Sequence, residues 1–231
     1  PWRKKLSQIK REYYTLVSEF MLQQTQVTTV IPYFNKFIKN IPNVRSLAKI
    51  KENKLLKYWE GLGYYTRVKN LKKTAQILDK NFKGRLPSTI EELKLLPGIG
   101  EYTANAIMAI GFNKPFIPLD GNIERIIKRL LNLKSIKEVS KESLISKKKI
   151  LGTSERASDY AQALMELGAL ICKPKSPLCN QCPLIKNCKS FKNNDFEIVR
   201  NKKKKIDKFY LLKVYKKITN FYWLKILDLI F

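Results

Sequence analysis

Histidine is absent from the 231 residues of this chain, and acidic residues are scarce. Without histidine the protein has no Ser/His/Asp triad, no Cys/His nucleophile pair and no His-ligated zinc or haem site. Any acid–base chemistry must therefore depend on carboxylates, lysine, tyrosine or cysteine. The chain also lacks an apolar run of the roughly 18 residues that a membrane-spanning helix needs, so we expect no membrane-spanning segment.

Positive charge dominates the composition. There are 46 lysines and arginines against 19 acidic residues, which gives a formal net charge of +27. Such an excess indicates a polyanionic partner, most simply nucleic acid, with a membrane surface as the second possibility. Because surplus lysine often only solvates a surface, the charge alone leaves the partner open.

Helical periodicity extends through most of the chain. Apolar residues recur at helical spacing in residues 9–24, and turn signals separate the segments that follow. The pattern predicts further helices over 26–39, 43–50, 52–59, 65–81, 89–95, 101–111, 121–132, 139–149 and 156–171. Strand-like alternation begins only after residue 206, in two runs, 209–215 and 221–227. We therefore predict an all-α body.

All four cysteines lie within 17 positions, spaced C-x6-C-x2-C-x5-C: Cys172, Cys179, Cys182 and Cys188. Four thiols in one loop after a helix are typical of a thiolate-bound metal site. Zinc sites usually carry two close CxxC pairs, and only Cys179 and Cys182 have that spacing. The spacing therefore favours an iron–sulfur cluster, with structural zinc as the main alternative and disulfides as a third.

Two carboxylates lie in apolar surroundings, Glu19 within LVSEFML and Asp120 after FIPL, directly before a helix. A carboxyl in an apolar pocket has a raised pKa and can act as a general acid near neutral pH. A second, ionised carboxylate can stabilise an oxocarbenium ion or attack it. Each residue also has a plainer explanation, since Asp120 suits a helix N-cap and Glu19 can share a polar stripe with Ser18.

The segment LPGIGEYTANAI at 96–107 is a glycine turn between two helices. Pro97 ends one helix, and Gly98 and Gly100 permit backbone conformations that other residues avoid. Backbone N–H groups at such a turn can hold a DNA phosphate without reading the bases. An ordinary capping turn is the alternative.

These segments together resemble the helix–hairpin–helix DNA glycosylases, and within them the adenine DNA glycosylases of the MutY type. The stretches that carry the resemblance are SEFMLQQTQVTTVIPYF (18–34), WEGLGYYTRVKNL (59–71), LPGIGEYTANAI (96–107), IPLDGNIERI (117–126) and the four cysteines.

The resemblance implies a domain organisation. Residues 1–190 would form the catalytic region, with a six-helix barrel over 23–117 and an iron–sulfur cluster domain built from 1–22 and 118–190. A basic linker over 191–207 and the start of a truncated Nudix-like domain at 208–231 would follow. Because the chain begins at Pro1 and ends inside an apolar stretch, we expect a fragment, a natural short form or the product of a degenerate gene.

The resemblance also implies an activity: removal of adenine opposite 8-oxoguanine or guanine, by hydrolysis of the N-glycosidic bond of a nucleotide flipped out of double-stranded DNA. One 4Fe–4S cluster would be held by the four cysteines. Glu19 would be the general acid and Asp120 would stabilise the cationic sugar, with Tyr102 and Asn122 holding the two carboxylates. The resemblance also implies three sets of DNA contacts. Gln24 and Thr25 would enter the gap that the flipped adenine leaves, and Leu62 and Tyr64 would form a wedge beside the opposite base. Gly98 and Gly100 would contact a phosphate.

Two other functions stay open at this point. Endonuclease III-type glycosylases, which act on oxidised pyrimidines, share the fold and the cysteine spacing but carry a nucleophilic lysine where this chain has Tyr102. We therefore expect a monofunctional glycosylase that leaves the abasic site intact. A catalytically dead DNA-binding module is the other alternative, and the presence of both Glu19 and Asp120 argues against it. We expect a monomer in the reducing bacterial cytoplasm, at the nucleoid, with double-stranded DNA and no membrane as its partner.

Overall fold

The computed structural model describes residues 6–197, and every regular element in that range is helical, which confirms the all-α prediction there. The predicted strand-like runs, most of the linker and the Nudix-like segment lie outside the described residues. The helices are α1 (Gln8–Leu22), α2 (Val27–Asn40), α3 (Val44–Lys49), α4 (Glu52–Trp59), α5 (Thr66–Asn81), α6 (Ile90–Lys94), α7 (Glu101–Ala106), α8 (Gly121–Leu131), α9 (Lys141–Lys147), α10 (Ala157–Glu166) and α11 (Lys189–Lys192). None of these helices is long and apolar enough to cross a membrane.

Several of the short helices begin at a side chain that accepts a hydrogen bond from an otherwise unpaired backbone N–H. The Asn43 side chain accepts from the Ser46 backbone at 2.9 Å, and the Ser46 hydroxyl accepts from the Asn43 backbone at 3.2 Å. Thr89 caps α6 and Ser140 caps α9 in the same way. Such caps stabilise helices too short to persist alone, so local sequence sets where these helices start.

Two large apolar cores and a smaller apolar cluster between α7, its π turn and α10 hold the described helices together. The first surrounds α1, whose Leu16, Val17 and Phe20 are fully buried among residues of α2 to α7, including Trp59. The second surrounds α8, with Ile123, Ile127, Leu144 and Leu164 among its members. The resemblance assigns residues 1–22 to the cluster region, whereas much of α1 packs in the first core, so the domain boundaries stay a prediction.

Two helices change pitch near their carboxyl ends. α7 continues as a π-helical turn over Ile107–Gly111, and α10 continues as another over Leu167–Ile171. A π turn inserts an extra residue into a helix and often occurs at functional sites. Both turns contribute residues to the wall of one cavity, which lies where helices of the two cores meet.

Candidate active site

Four residues from three separate parts of the sequence line a single cavity of about 690 Å³: Glu19, Tyr102, Asp120 and Asn122. They come from α1, α7, the residue before α8, and α8. Apolar side chains form much of the remaining wall, and α10 adds two polar residues that the sequence did not single out: Gln162 and Glu166. The predicted catalytic residues therefore share one cavity, and their roles stay a proposal.

Glu19 lies on the last turn of α1 and is only 5% exposed. Burial raises the pKa of its carboxyl; a hydrogen bond from Tyr102 lowers it, the nearby Asp120 adds a smaller increase, and the net pKa is about 7. The polar-stripe explanation for Glu19 is therefore wrong, because the side chain is removed from solvent. A carboxyl that titrates near pH 7 can both give and accept a proton under neutral conditions.

Asp120 is the N-cap of α8, as the plainer explanation predicts. Its Oδ1 atom accepts the backbone N–H of Ile123 at 2.7 Å, and its Oδ2 atom accepts from Asn122 Nδ2 at 3.0 Å. Burial raises the pKa of Asp120, and these hydrogen bonds act in the opposite direction. The cap holds the carboxylate in a defined orientation at the cavity wall, so capping and a catalytic role are compatible.

A chain of hydrogen bonds joins this site to the cysteine loop. Arg125 Nη2 donates to Asn122 Oδ1 at 2.8 Å and to the Gly168 carbonyl at 2.6 Å, and its Nε donates to the Cys172 carbonyl at 2.7 Å. Arg129, which is buried, donates to Cys172 Sγ at 3.3 Å and to the Lys173 carbonyl at 2.6 Å. The loop that carries the cysteines therefore braces the residues beside Asp120.

Sequence reasoning missed Arg125 and Arg129, although one signal was present. The chain has only nine arginines among its 46 basic residues, so arginine is unusual wherever it occurs. A planar guanidinium bonds several acceptors at once, which the lysine ammonium does less well. An arginine in a lysine-rich chain thus indicates a position where a planar guanidinium binds several acceptors at once.

The absence of a side chain at Gly168 is also required for the geometry of the site. A Cβ at this position would lie 2.5 Å from Asn122 Cβ and 3.1 Å from two Asn122 backbone atoms. We expect Gly168→Ala to displace Asn122 and Asp120, to destabilise the fold by about 1–3 kcal/mol, and to lower the rate of the base excision that the resemblance implies at least about tenfold. Thermal unfolding and single-turnover excision measure the two effects.

Gly121→Ala is the matched control, since a Cβ there meets nothing within 4 Å and Gly121 lies directly beside Asn122. It should leave both quantities near wild type. Equal behaviour of the two alanine variants would contradict the packing argument.

The residues predicted to enter DNA differ in their exposure. Tyr64 is 62% exposed and Gln24 is also exposed, and both have a left-handed backbone, with φ of +47° and +57°. Leu62 is 6% exposed and packs in the first core, so it does not present the free side chain that a wedge needs. Thr25 lines the same cavity as Glu19 and Asp120. Of the predicted wedge pair, only Tyr64 is presented outward, and the DNA contacts stay predictions.

The glycine turn between α6 and α7 is tied to the end of α1. The Gly98 carbonyl accepts from Gln23 Nε2 at 3.3 Å, and Thr74 donates to the Pro97 carbonyl at 2.9 Å. Gly98 has a φ of +81°, and a Cβ there would lie 2.8 Å from Phe20. Both facts require glycine at this position. Gly98 and Gly100 are exposed, as a phosphate contact needs.

The four cysteines line a second cavity together with Arg129, Phe191 and Phe196. All four thiols are free of disulfide bonds, so the disulfide alternative is wrong for this structure. Burial and the neighbouring thiols raise the pKa of Cys179. Within residues 6–197, no group of three or more His, Cys, Asp or Glu side chains is arranged to hold a metal ion.

Comparison with known proteins places this architecture in a class. Residues 17–150 match the family model described as "HhH-GPD superfamily base excision DNA repair protein". The match covers more than half of the chain and includes Glu19, the glycine turn and Asp120. The chain belongs to this family.

Several curated proteins that are similar in sequence to this chain carry the name "Adenine DNA glycosylase". The protein of Buchnera aphidicola subsp. Baizongia pistaciae is 44% identical over 209 residues, which cover 89% of this chain and 57% of that protein. The Homo sapiens protein is 38% identical over 201 residues, covering 82% of this chain and 36% of that one. The chain thus spans about half the length, or less, of the curated relatives it matches.

Solved structures agree on the fold. A thermostable thymine-DNA glycosylase matches with a TM-score of 0.71 and 26% identity, over 84% of this chain and 88% of that one. Endonuclease III in a non-covalent DNA complex matches with a TM-score of 0.65 and 23% identity, over 84% and 91%. The described part of the chain therefore has the helix–hairpin–helix DNA glycosylase fold.

Proposed function

We propose that this protein removes adenine mispaired with 8-oxoguanine or guanine in double-stranded DNA, by hydrolysing the N-glycosidic bond. The observation that carries the proposal is the pairing of a buried carboxyl that titrates near pH 7, Glu19, with a second carboxylate, Asp120, at the wall of one cavity. The adenine specificity rests on the names of the relatives, which are 33–44% identical to this chain.

The chemistry follows from the two environments. Protonated Glu19 gives its proton to the flipped adenine, so the base leaves as a neutral molecule when the bond to the sugar breaks. The bonding electrons depart with adenine, and the carboxylate of Asp120 stabilises the oxocarbenium sugar that remains, or bonds to it transiently. Glu19, now deprotonated, takes a proton from the water that adds to the sugar. Tyr102 and Asn122 orient the two carboxylates through hydrogen bonds.

A monofunctional reaction is favoured by the cavity wall. Cleavage of the strand through a Schiff base needs an amine next to the sugar. Tyr102 occupies the position that the endonuclease III branch gives to lysine, and none of the described residues that line the cavity is a lysine. The product should therefore be an intact abasic site.

We propose that the cysteine cavity holds a 4Fe–4S cluster. Four unbridged thiols line one space and Arg129 donates a hydrogen bond to a sulfur, which suits thiolate ligands that carry negative charge. Cys172, Cys179, Cys182 and Cys188 would hold the cluster. When bound, it would cross-link a loop of short 3-10 turns that has little apolar core of its own, and so hold Arg125 and Asn122 in place. The free thiols also agree with a reducing bacterial cytoplasm.

Replacing Arg129 tests the fit of the cluster. We expect Arg129→Gln to lower the iron content of purified protein by about half or more, because it removes a donor to Cys172 Sγ and unties two loop carbonyls. Metal analysis by mass spectrometry gives the iron-to-protein ratio, near four in the wild type. Lys128→Gln is the control, since Lys128 pairs with Glu124 and should leave the iron content unchanged. One equivalent of zinc in place of iron would reverse the assignment.

A single-turnover assay tests the activity itself. Duplexes with adenine opposite 8-oxoguanine or opposite guanine are incubated with the protein and then analysed with and without alkali. Strand breaks that require alkali support a monofunctional adenine glycosylase. Breaks without alkali would indicate a lyase, and binding with no breaks in either arm would leave a DNA-binding module.

A further inference from the structure

Arg67 is a buried cation in the first core. Its side chain extends from α5, the residue is 7% exposed, and none of the ion pairs found among the described residues includes it. Its guanidinium lies 5.4 Å from the ring centroid of Trp59 and 5.3 Å from that of Tyr64. A buried charge is costly unless other groups satisfy it, so its hydrogen bonds indicate its purpose.

One nitrogen of Arg67 holds the end of α1 and the turn that follows. Nη1 donates to the carbonyls of Met21 at 2.7 Å and Gln23 at 2.5 Å, and to the Thr25 hydroxyl at 3.1 Å. The last carbonyls of a helix have no partner within the helix and form its negative end. Because α1 has no basic residue in its own last turn, Arg67 supplies that charge from another helix.

The other nitrogen holds the turn that carries Tyr64. Nη2 donates to the carbonyls of Leu62 at 3.0 Å and Gly63 at 3.3 Å, and Trp59 Nε1 donates to the same Gly63 carbonyl at 3.1 Å. Tyr64 has a left-handed φ of +47°, which a bulky residue adopts only when its surroundings impose it. The Arg67 hydrogen bonds and ring contact are part of those surroundings.

We propose that Arg67 is a positioning residue that locks the 23–25 and 61–65 turns together, so that Gln24 and Tyr64 enter the duplex as one unit. The proposal rests on the proposed function and adds how the mispair is opened. A guanidinium is required because its two Nη atoms reach two turns at once, whereas an ammonium cannot span them in a fixed plane. Arg67 therefore acts on opening of the duplex, and bond cleavage depends on the carboxylates.

The test separates duplex opening from chemistry. One probe is a duplex with 2-aminopurine next to the mispaired adenine, because its fluorescence rises when the base stack opens. The second compares single-turnover excision from the mispaired duplex with excision from a duplex whose adenine lies in a small unpaired loop. We expect Arg67→Met to abolish the fluorescence rise and to slow excision about 30-fold on the mispaired duplex but no more than about threefold on the looped one.

Two variants control for folding. Arg85→Met removes another arginine that binds a buried partner, the Glu12 carboxylate at 2.6 and 3.1 Å, so it should lower the melting temperature without changing the ratio between the two duplexes. Arg67→Lys keeps the charge and most of the volume, and we expect an intermediate loss of about tenfold on the mispaired duplex alone. It keeps the test available should Arg67→Met fail to fold.

The outcomes distinguish this proposal from the proposed function. An unchanged ratio in both Arg67 variants, or an equal change in Arg85→Met, would overturn the positioning role. If the wild type excises nothing, the proposed function fails and the fluorescence decides alone: a rise lost in the Arg67 variants supports the role, and a rise retained there overturns it. A wild type that binds the mispair without any rise overturns it as well.

Discussion

Glu19→Gln should abolish base excision, by about 10³-fold or more, while the affinity for mispaired DNA is kept. Glutamine has nearly the shape of the protonated carboxyl and can still accept from Tyr102, but its amide N–H is far too weak an acid to protonate the leaving adenine. Single-turnover excision and a binding titration on the same duplex measure the two quantities. Glu166→Gln, which changes another acidic residue that lines the cavity, is the comparison. Excision by Glu19→Gln at the wild-type rate would show that another group is the acid.

The same carboxyl predicts two pH effects. Because burial raises the pKa of Glu19 from 4.5 to about 7, the protonated form is lost above neutrality, and the single-turnover rate should fall as the pH rises through about 7. Between these two values the folded state holds a proton that the unfolded state has released, so this carboxyl increasingly destabilises the fold as the pH rises, and the loss is complete above about 7.

Glutamine at position 19 has no such titration. The variant should therefore be more stable than the wild type at pH 8, by on the order of 3 kcal/mol, and the difference should close towards pH 4.5. Denaturant unfolding of both proteins at several pH values measures the difference. A constant difference across that range would contradict a raised pKa for Glu19.

Asp120→Asn should lower excision about 10²-fold or more with little loss of stability. Asparagine is as good an N-cap as aspartate, so its side-chain oxygen can still accept from Ile123 at the start of α8. The negative charge next to the sugar is lost, together with the hydrogen bond that Asp120 Oδ2 accepts from Asn122 Nδ2. Single-turnover kinetics and thermal unfolding, measured on the same preparation, separate the two roles.

Asp120→Ala gives the complementary result. It removes the cap as well as the charge and should lose about a further 1 kcal/mol of stability. If Asp120→Asn kept the wild-type excision rate, Asp120 would be a helix cap alone, as the plainer interpretation of its position holds.

The order and length of the helices could be predicted because local signals mark them. Segments such as 52–59 and 101–111 agree with the structure to within a residue or two, since capping residues and glycine turns are short-range features. The cysteine spacing was informative for the same reason: ligands that bind one group from a single loop must be close in the sequence.

The surroundings of the candidate residues could not be predicted in this way. Leu62 and Tyr64 are neighbours in one turn, yet one is buried and the other exposed, because the left-handed residues between and beside them redirect the chain. Glu19 was ambiguous in the sequence because helical periodicity assigns a face to a residue and does not say what covers that face. Arg67 is a similar case, because its guanidinium donates hydrogen bonds to carbonyls about 45 positions away in the sequence.

The sequence by itself determined the helical class, the glycine turn, the four clustered thiols and the two carboxylates, because each depends on residues near one another along the chain. Only the tertiary structure decided that Glu19 is buried, that Asp120 shares its cavity, and that arginines tie distant loops together. The physical reason is that desolvation and the pairing of buried charges depend on which helices pack over a side chain. Chain folding settles that arrangement through contacts that local pattern does not encode.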